Sequence, residues 1–241
     1  MLITGVSLES LGLSAALAIA SQDPELLILA SRTEDKLNVA AEKIRKAFPS
    51  VSVHTVILDL ASQKSIIAAA SEISDSIKKL DILINNAASM TPKRAWTQEH
   101  IELQFGTNHI GHFLLTNLLL PKMIEAAKTS APGLTRIVNV SSLGARMSPV
   151  RFSDWNLERQ DIPDDEKPPS DVSQSTIDGV DGYPGFLAYA QSKTANILFS
   201  VELTKRLQSK GIISFSLHPG SEYLGLPHAR LEAHFLHQKL F

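Results

Sequence analysis

The 241 residues carry 23 basic and 25 acidic side chains, a net charge of −2, 44% hydrophobic residues and no cysteine. That mixture describes one globular domain over residues 1–241 rather than a tail, a repeat array or a membrane protein, and balanced charge without a basic run offers nucleic acid no footprint. Without cysteine there are no disulfides, thiolate zinc sites or thiol nucleophiles, which suits a cytoplasmic setting where redox chemistry needs a cofactor.

In chain order, residues 2–4 (LIT) form a short strand and residues 4–12 (TGVSLESLG) a loop with Gly5 and Gly12 at its ends. Glycines between a first strand and a helix let the backbone approach a dinucleotide pyrophosphate, whereas Glu9 would set a carboxylate against phosphate oxygens. Residues 11–22 (LGLSAALAIASQ) resemble the end of a signal peptide, but no Lys or Arg precedes them and Glu9 interrupts the run. The spacing of Leu11, Ala15, Leu17 and Ala18 instead predicts a helix packed on a sheet. No other apolar run reaches the roughly 18–20 residues of a membrane span.

Further strands are predicted at LLILA (26–30), VSVHTVI (51–57), DILIN (81–85), RIVNVS (136–141) and IISFSL (212–217). Helical spacing fills residues 33–48, 61–80, 97–127 and 187–207 between them. Near-continuous aliphatic strands joined by helices imply a Rossmann-like, doubly wound α/β fold. It has about six parallel strands in the order 3-2-1-4-5-6, with helices on both faces and ligands beyond the carboxyl ends of the strands. Residues 150–185 break the rhythm with four prolines, three glycines and, between 151 and 182, nine acids against three bases. This insert is either a surface excursion or a lid whose Phe152, Trp155, Leu157 and Ile162 wall a pocket.

Short motifs fall on the predicted ligand edge. In YAQSK (189–193), Tyr189 and Lys193 share a helix face, and a neighbouring ammonium can draw a phenol down from its usual pKa of about 10. Ser141 and Ser142 end the fifth strand, Asn108 lies in TNHIGHF, Asn86, Ala87 and Ala88 follow the fourth strand, Asp59 and Leu60 the third, and Arg32 the second. Each motif alone also has a plain reading as turn or surface chemistry.

In this order, TGVSLESLG, LASRTEDKL, LDL, NNAA, FGTNHIGHFLLT, RIVNVSS, YAQSKTANILFS and SLHPG resemble the short-chain dehydrogenases/reductases. The similarity is greatest to the retinol-dehydrogenase-like and WW-domain-oxidoreductase-like branch, which includes many fungal reductases. The resemblance implies that Tyr189 is the general acid of carbonyl reduction, or the base in alcohol oxidation. It implies that Lys193 assists Tyr189 and binds the nicotinamide ribose, that Ser142 holds the substrate oxygen, and that Asn108 keeps a water in the proton path. Gly5, Ser7, Ser10, Leu11 and Gly12 would cradle the pyrophosphate, Asp59 and Leu60 the adenine, Asn86, Ala87 and Ala88 the ribose, and Pro219 and Gly220 the nicotinamide end. Ser31 and Arg32 offer a hydroxyl and a guanidinium to a 2′-phosphate, favouring NADP(H) over NAD(H), unless Arg32 merely pairs with Glu34 or Asp35. No metal is expected; a small apolar ketone, aldehyde or alcohol is the expected substrate, and a homodimer through residues 100–125 and 186–208 is plausible by analogy.

The sequence also departs from the family. Ser10 stands where the branch usually has glycine, Ala88 closes NNAA instead of NNAG, and Leu224 occupies the place of a carboxamide-binding threonine. Both ends look short, and PHARLEAHFLHQKLF reads as one surface helix carrying His228, His234 and His237. An alternative function is therefore a catalytically impaired scaffold that keeps the fold but has lost productive cofactor binding.

Overall fold

A computed structural model describes residues 1–220. The elements are β1 (Leu2–Thr4), α1 (Leu11–Ala20), β2 (Leu26–Ser31), α2 (Glu34–Ala47), β3 (Ser52–Ile57), α3 (Gln63–Ser76) and β4 (Ile82–Asn85). They continue with α4 (Leu103–Phe105), α5 (Gly111–Ala127), β5 (Thr135–Val140), α6 (Gln174–Asp178), α7 (Gly185–Leu207) and β6 (Ile212–Leu217). The six strands are all parallel and lie in the order β3-β2-β1-β4-β5-β6. Leu224 and the three histidines His228, His234 and His237 lie outside the described residues.

Alternation along β1 and β2 builds the two faces. Ile3, Leu27 and Leu29 pack with Leu13 and Ala16 of α1 and with Leu37, Ala40 and Ile44 of α2. Leu2, Ile28 and Ala30 pack with α3, α5 and α7 through Ile66, Ile73, Leu115, Leu119, Phe199 and Leu203. With both faces covered, the strands read as continuous aliphatic runs, and each fully buried leucine contributes roughly 1.5–3 kcal/mol.

Three expectations need correction. The helix packs on the sheet as expected, but its fully buried stripe is Gly12, Leu13, Ala16 and Ala20; Ala15 and Leu17 pack half-buried beside it, and Ala18 is exposed. Ser10 fixes this rotation by capping the helix, its Oγ accepting from the Leu13 amide at 3.1 Å. The helix expected over 97–127 starts at Leu103 and is interrupted by a π turn, Gly106–Ile110. Upstream, Trp96 and Glu102 form an antiparallel bridge, and the Glu102 carboxylate caps α4 by accepting from the Gln104 and Phe105 amides, each at 2.8 Å. In the insert, Leu157 and Ile162 are buried but Phe152 and Trp155 are exposed, and none of the four lines the crevice described below.

Candidate active site

A cavity of about 560 Å³ opens at the carboxyl ends of the strands. Every proposed cofactor residue except Gly220 lines it: Gly5, Ser7, Ser10, Leu11, Gly12, Ser31, Arg32, Asp59, Leu60, Asn86, Ala87, Ala88, Tyr189, Lys193 and Pro219. Gly220 is exposed, with a φ of +97°.

The loop after β1 is built for close approach. Gly5 takes a φ of +75°, and a Cβ there would stand 2.6 Å from the Ala87 Cα; a Cβ on Gly12 would stand 2.3 Å from the Gly5 carbonyl oxygen. Neither position has room for a side chain, so bare backbone faces the cavity. Ser10 is extended rather than left-handed, and its Oγ accepts from Ser7 N at 3.1 Å while donating to Ser7 O at 2.6 Å. The left-handed non-glycine residue of the loop is Glu9, with a φ of +56°; it is exposed and absent from the cavity lining. Ala88 needs no positive φ. At the far end Arg32, Thr33 and Lys36 gather on one side of the crevice. Among the described residues Arg32 makes no ion pair with Glu34 or Asp35. Lys36 was not among the expected residues, although a lysine in the first turn of the helix that follows Arg32 was a usable signal.

At the near end, α7 presents Tyr189 and Lys193 to the cavity, with the Lys193 Nζ 5.5 Å from the phenol ring centre. Lys193 is 2% exposed and donates to the Val140 carbonyl at 2.9 Å. Burial lowers its pKa to about 8. Ser141 lines the cavity, but its hydroxyl is committed to the Lys193 carbonyl at 2.8 Å. Ser142 lies just outside the lining, capping the short 3₁₀ turn Leu143–Met147 by accepting from Gly144 N at 3.1 Å. A Cβ built on Gly144 would lie 3.5 Å from Ser142 Oγ and 3.6 Å from Tyr189 Cε1, so hydroxyl and phenol flank the same glycine.

Asn108 is fully buried on the π turn, behind the cavity rather than in its lining. Its amide accepts from Ser89 N at 2.6 Å and donates to Ser89 O at 3.0 Å and Ser192 Oγ at 2.9 Å. The Ser192 hydroxyl then donates to the Tyr189 carbonyl at 2.7 Å. Asn108 thus ties the end of β4 to the helix turn bearing Tyr189.

Tyr183, six residues earlier, is in a different state. Its hydroxyl donates to Glu102 Oε1 at 2.6 Å and accepts from Gln104 Nε2 at 2.7 Å. Burial first, then the Glu102 bond and charge, raise its pKa far above the ordinary phenol value. A proton locked there is unavailable for transfer.

The sequence model of the short chain dehydrogenases matches residues 1–155. The chain belongs to the short-chain dehydrogenase family. This short-chain dehydrogenase is 35% identical over 224 residues to the oxidoreductase fscI of Fusarium equiseti, covering 92% of this chain and 86% of that one. It is 38% identical over 220 residues to human retinol dehydrogenase 13, covering 91% of this chain but 58% of that one. These relatives place it in the retinol-dehydrogenase-like branch. Among solved structures, an uncharacterised protein of Mycobacterium paratuberculosis superposes with a TM-score of 0.65 at 32% identity, covering 91% of this chain and 67% of that one. A metagenomic short-chain oxidoreductase in complex with NADP superposes at 0.64 with 20% identity, over 92% of this chain and 81% of that one, a likeness of fold. No described helix of this short-chain dehydrogenase is long and apolar enough to cross a membrane.

Proposed function

We propose that this short-chain dehydrogenase reduces the carbonyl of a small apolar ketone or aldehyde, or oxidises the matching alcohol, using NADP(H). The observation that carries the reading is the crevice itself. Side-chain-free backbone at Gly5 and Gly12 lines the same cavity as Tyr189 and Lys193. The residues fit a dinucleotide: two glycines that admit no Cβ, a helix N-terminus at α1, and a cationic corner at Arg32 and Lys36.

NADPH, when bound, supplies the hydride. Tyr189 holds the proton for the substrate oxygen, and Lys193 keeps an ammonium beside the phenol and toward the nicotinamide ribose. Ser142 orients the substrate oxygen from the other side of Gly144. Asn108 holds the Tyr189 turn against β4 and offers its main-chain carbonyl to a water behind Lys193. Arg32, Ser31 and Lys36 take the 2′-phosphate. Residues 150–185 are an insert within this domain that stays outside the crevice lining, and the protein works in the cytoplasm. A second copy would pair across α5 and α7, where Phe113, Ile197, Leu198 and Val201 are exposed.

Titration with NADPH, followed by a panel of lipophilic ketones and aldehydes with the native protein and Tyr189→Phe, tests the reading. Micromolar NADPH binding is expected, with turnover reduced at least about a hundredfold in Tyr189→Phe and cofactor affinity retained. Absence of binding at millimolar NADPH, or full turnover by Tyr189→Phe, rejects it.

A further inference from the structure

His112 sits on the first turn of α5, is 1% exposed, and lies outside the cavity lining. Its ring nonetheless touches two parts of the site. Nδ1 is 3.0 Å from the main-chain carbonyl of Asn108, and Nε2 is 2.8 Å from the Thr4 hydroxyl at the end of β1. The Thr4 oxygen in turn accepts from the Asn86 and Ala87 amides, each at 3.0 Å.

Hydrogen counting fixes the ring's state. A carbonyl oxygen only accepts, so Nδ1 must carry a hydrogen. The Thr4 oxygen has both lone pairs engaged by amides, so its single hydrogen is free to donate, and the near acceptor is Nε2, since the Ile84 carbonyl is 3.5 Å away. Nε2 must therefore be bare. The chain then runs without a break: Asn86 and Ala87 amides to Thr4, Thr4 to His112, His112 to Asn108. Protonation of Nε2 would set two donors face to face. Burial, with the positive charge of Lys193 from α7 and the proximity of His109 on the π turn, opposes it and lowers the His112 pKa to about 3.

We propose that His112 is a positioning residue that joins the strand end seating the cofactor to the Asn108 carbonyl, so that cofactor loop and proton path hold one register. The π turn shows why a side chain is needed there. At Gly106–Ile110 the helix bonds in i→i+5 steps, the Gly111 amide reaching the Gly106 carbonyl, and interrupted helical bonding leaves carbonyl directions less constrained. An imidazole reaching back one turn gives the Asn108 oxygen a fixed donor. The link to Asn108 rests on the reductase reading, since it matters for turnover only if that carbonyl serves the proton path; the link to Thr4 does not.

Two measurements test it. Imidazole ¹⁵N shifts of the native protein should show His112 as the neutral Nδ1–H tautomer between about pH 5 and pH 8, with and without NADPH. A ring that titrates in this range, or carries its proton on Nε2, overturns the proposal. In a double-mutant cycle, His112→Leu and Thr4→Val should each weaken NADPH binding about tenfold, and the pair together no more than about tenfold. Independent losses that multiply would overturn the coupling. His112→Asn retains a donor for the Asn108 carbonyl and should recover most of the kcat that His112→Leu loses; equal losses would leave His112 a packing residue only. Should the native protein neither bind NADPH nor turn over a carbonyl, the reductase reading fails, while the tautomer and the same cycle read by unfolding free energy still decide the His112 link.

Discussion

Glu9 holds the left-handed backbone of the phosphate loop, at a cost of about 1–2 kcal/mol, while Ser10 beside it stays extended and caps α1. The departure from glycine at position 10 is thus absorbed: a serine cap satisfies amides that a glycine would leave to solvent, and the carboxylate points away from the crevice. The proposed cofactor choice rests on residues at the same scale. Arg32 lines the crevice with no carboxylate partner among the described residues, and Lys36 stands in the first turn of α2. Two cations against a doubly charged phosphate form charge-assisted bonds worth roughly 1.5–3 kcal/mol each. Arg32→Asp should therefore raise the NADPH dissociation constant at least about tenfold and improve NADH binding. Lys36→Ala should weaken NADPH alone. Parallel fluorescence titrations with the two cofactors check this, and an unchanged ratio in Arg32→Asp would remove the assignment of NADP(H). Arg32 was legible because a strand end followed by Ser-Arg is a local pattern. Thr4 and His112 were not, because their partnership spans 108 positions and depends on which ring nitrogen carries a hydrogen.

At the scale of elements, the insert is pinned at Asn156 and Leu157 and again at Tyr183, just before α7. Arg94 donates to the Asn156 and Leu157 carbonyls, each at 2.7 Å, and its guanidinium lies 4.8 Å from the centre of the Tyr183 ring. Tyr183 reaches Glu102, and Glu102 caps α4, so one carboxylate joins the insert to the helix leading into the π turn. A moving lid needs a hinge; buried Leu157, Val172 and Tyr183 leave none at these anchors. Tyr183→Phe keeps the ring but strands one lobe of a fully buried carboxylate. Loss of such a charge-assisted bond should cost about 1.5–3 kcal/mol in urea unfolding and speed proteolytic nicking within 150–185. A change within a few tenths of a kcal/mol would show that the Gln104 and Phe105 amides suffice for Glu102. The six strands were readable from continuous aliphatic runs, whereas the start of the helix expected at 97 was not. Helical spacing persists through TQEHIE, but the local bridge from Trp96 to Glu102, the left-handed His100 and the Thr97 hydroxyl, which takes the Glu99 and Ile101 amides, stop it.

Across the whole molecule, the interface between α5, α7 and the sheet buries bases without acids to match. His109 packs among Phe105, Phe113 and Phe199, with ring centres 5.4, 6.3 and 5.7 Å away, and His112 lies beneath it. Burial first lowers their pKa values to about 4 and about 3, from an ordinary 6.5. Lys193 is lowered the same way to about 8 from 10.5. All three have folded values below their unfolded ones, so each makes its full contribution to stability above the unfolded pKa and loses it as pH falls toward the folded one. For Lys193 that window runs from 10.5 to about 8 and is closed by neutral pH. For the histidines it opens at 6.5 and runs down to about 4 and about 3. Between about pH 6.5 and pH 5, above most carboxylate titration, each histidine should therefore remove up to about 1.4 kcal/mol per pH unit, somewhat less for His109, which is not wholly shielded from solvent. His109→Phe removes one of the two described histidines whose pKa is lowered, keeps an aromatic ring in the cluster, and gives up only a 3.3 Å bond to Asn196. Urea unfolding of native and variant proteins across that interval should show the slope of stability against pH falling by about half. An unaltered slope would mean that His109 takes its proton in the folded protein, and that the aromatic cluster opens to water far more readily than its packing implies.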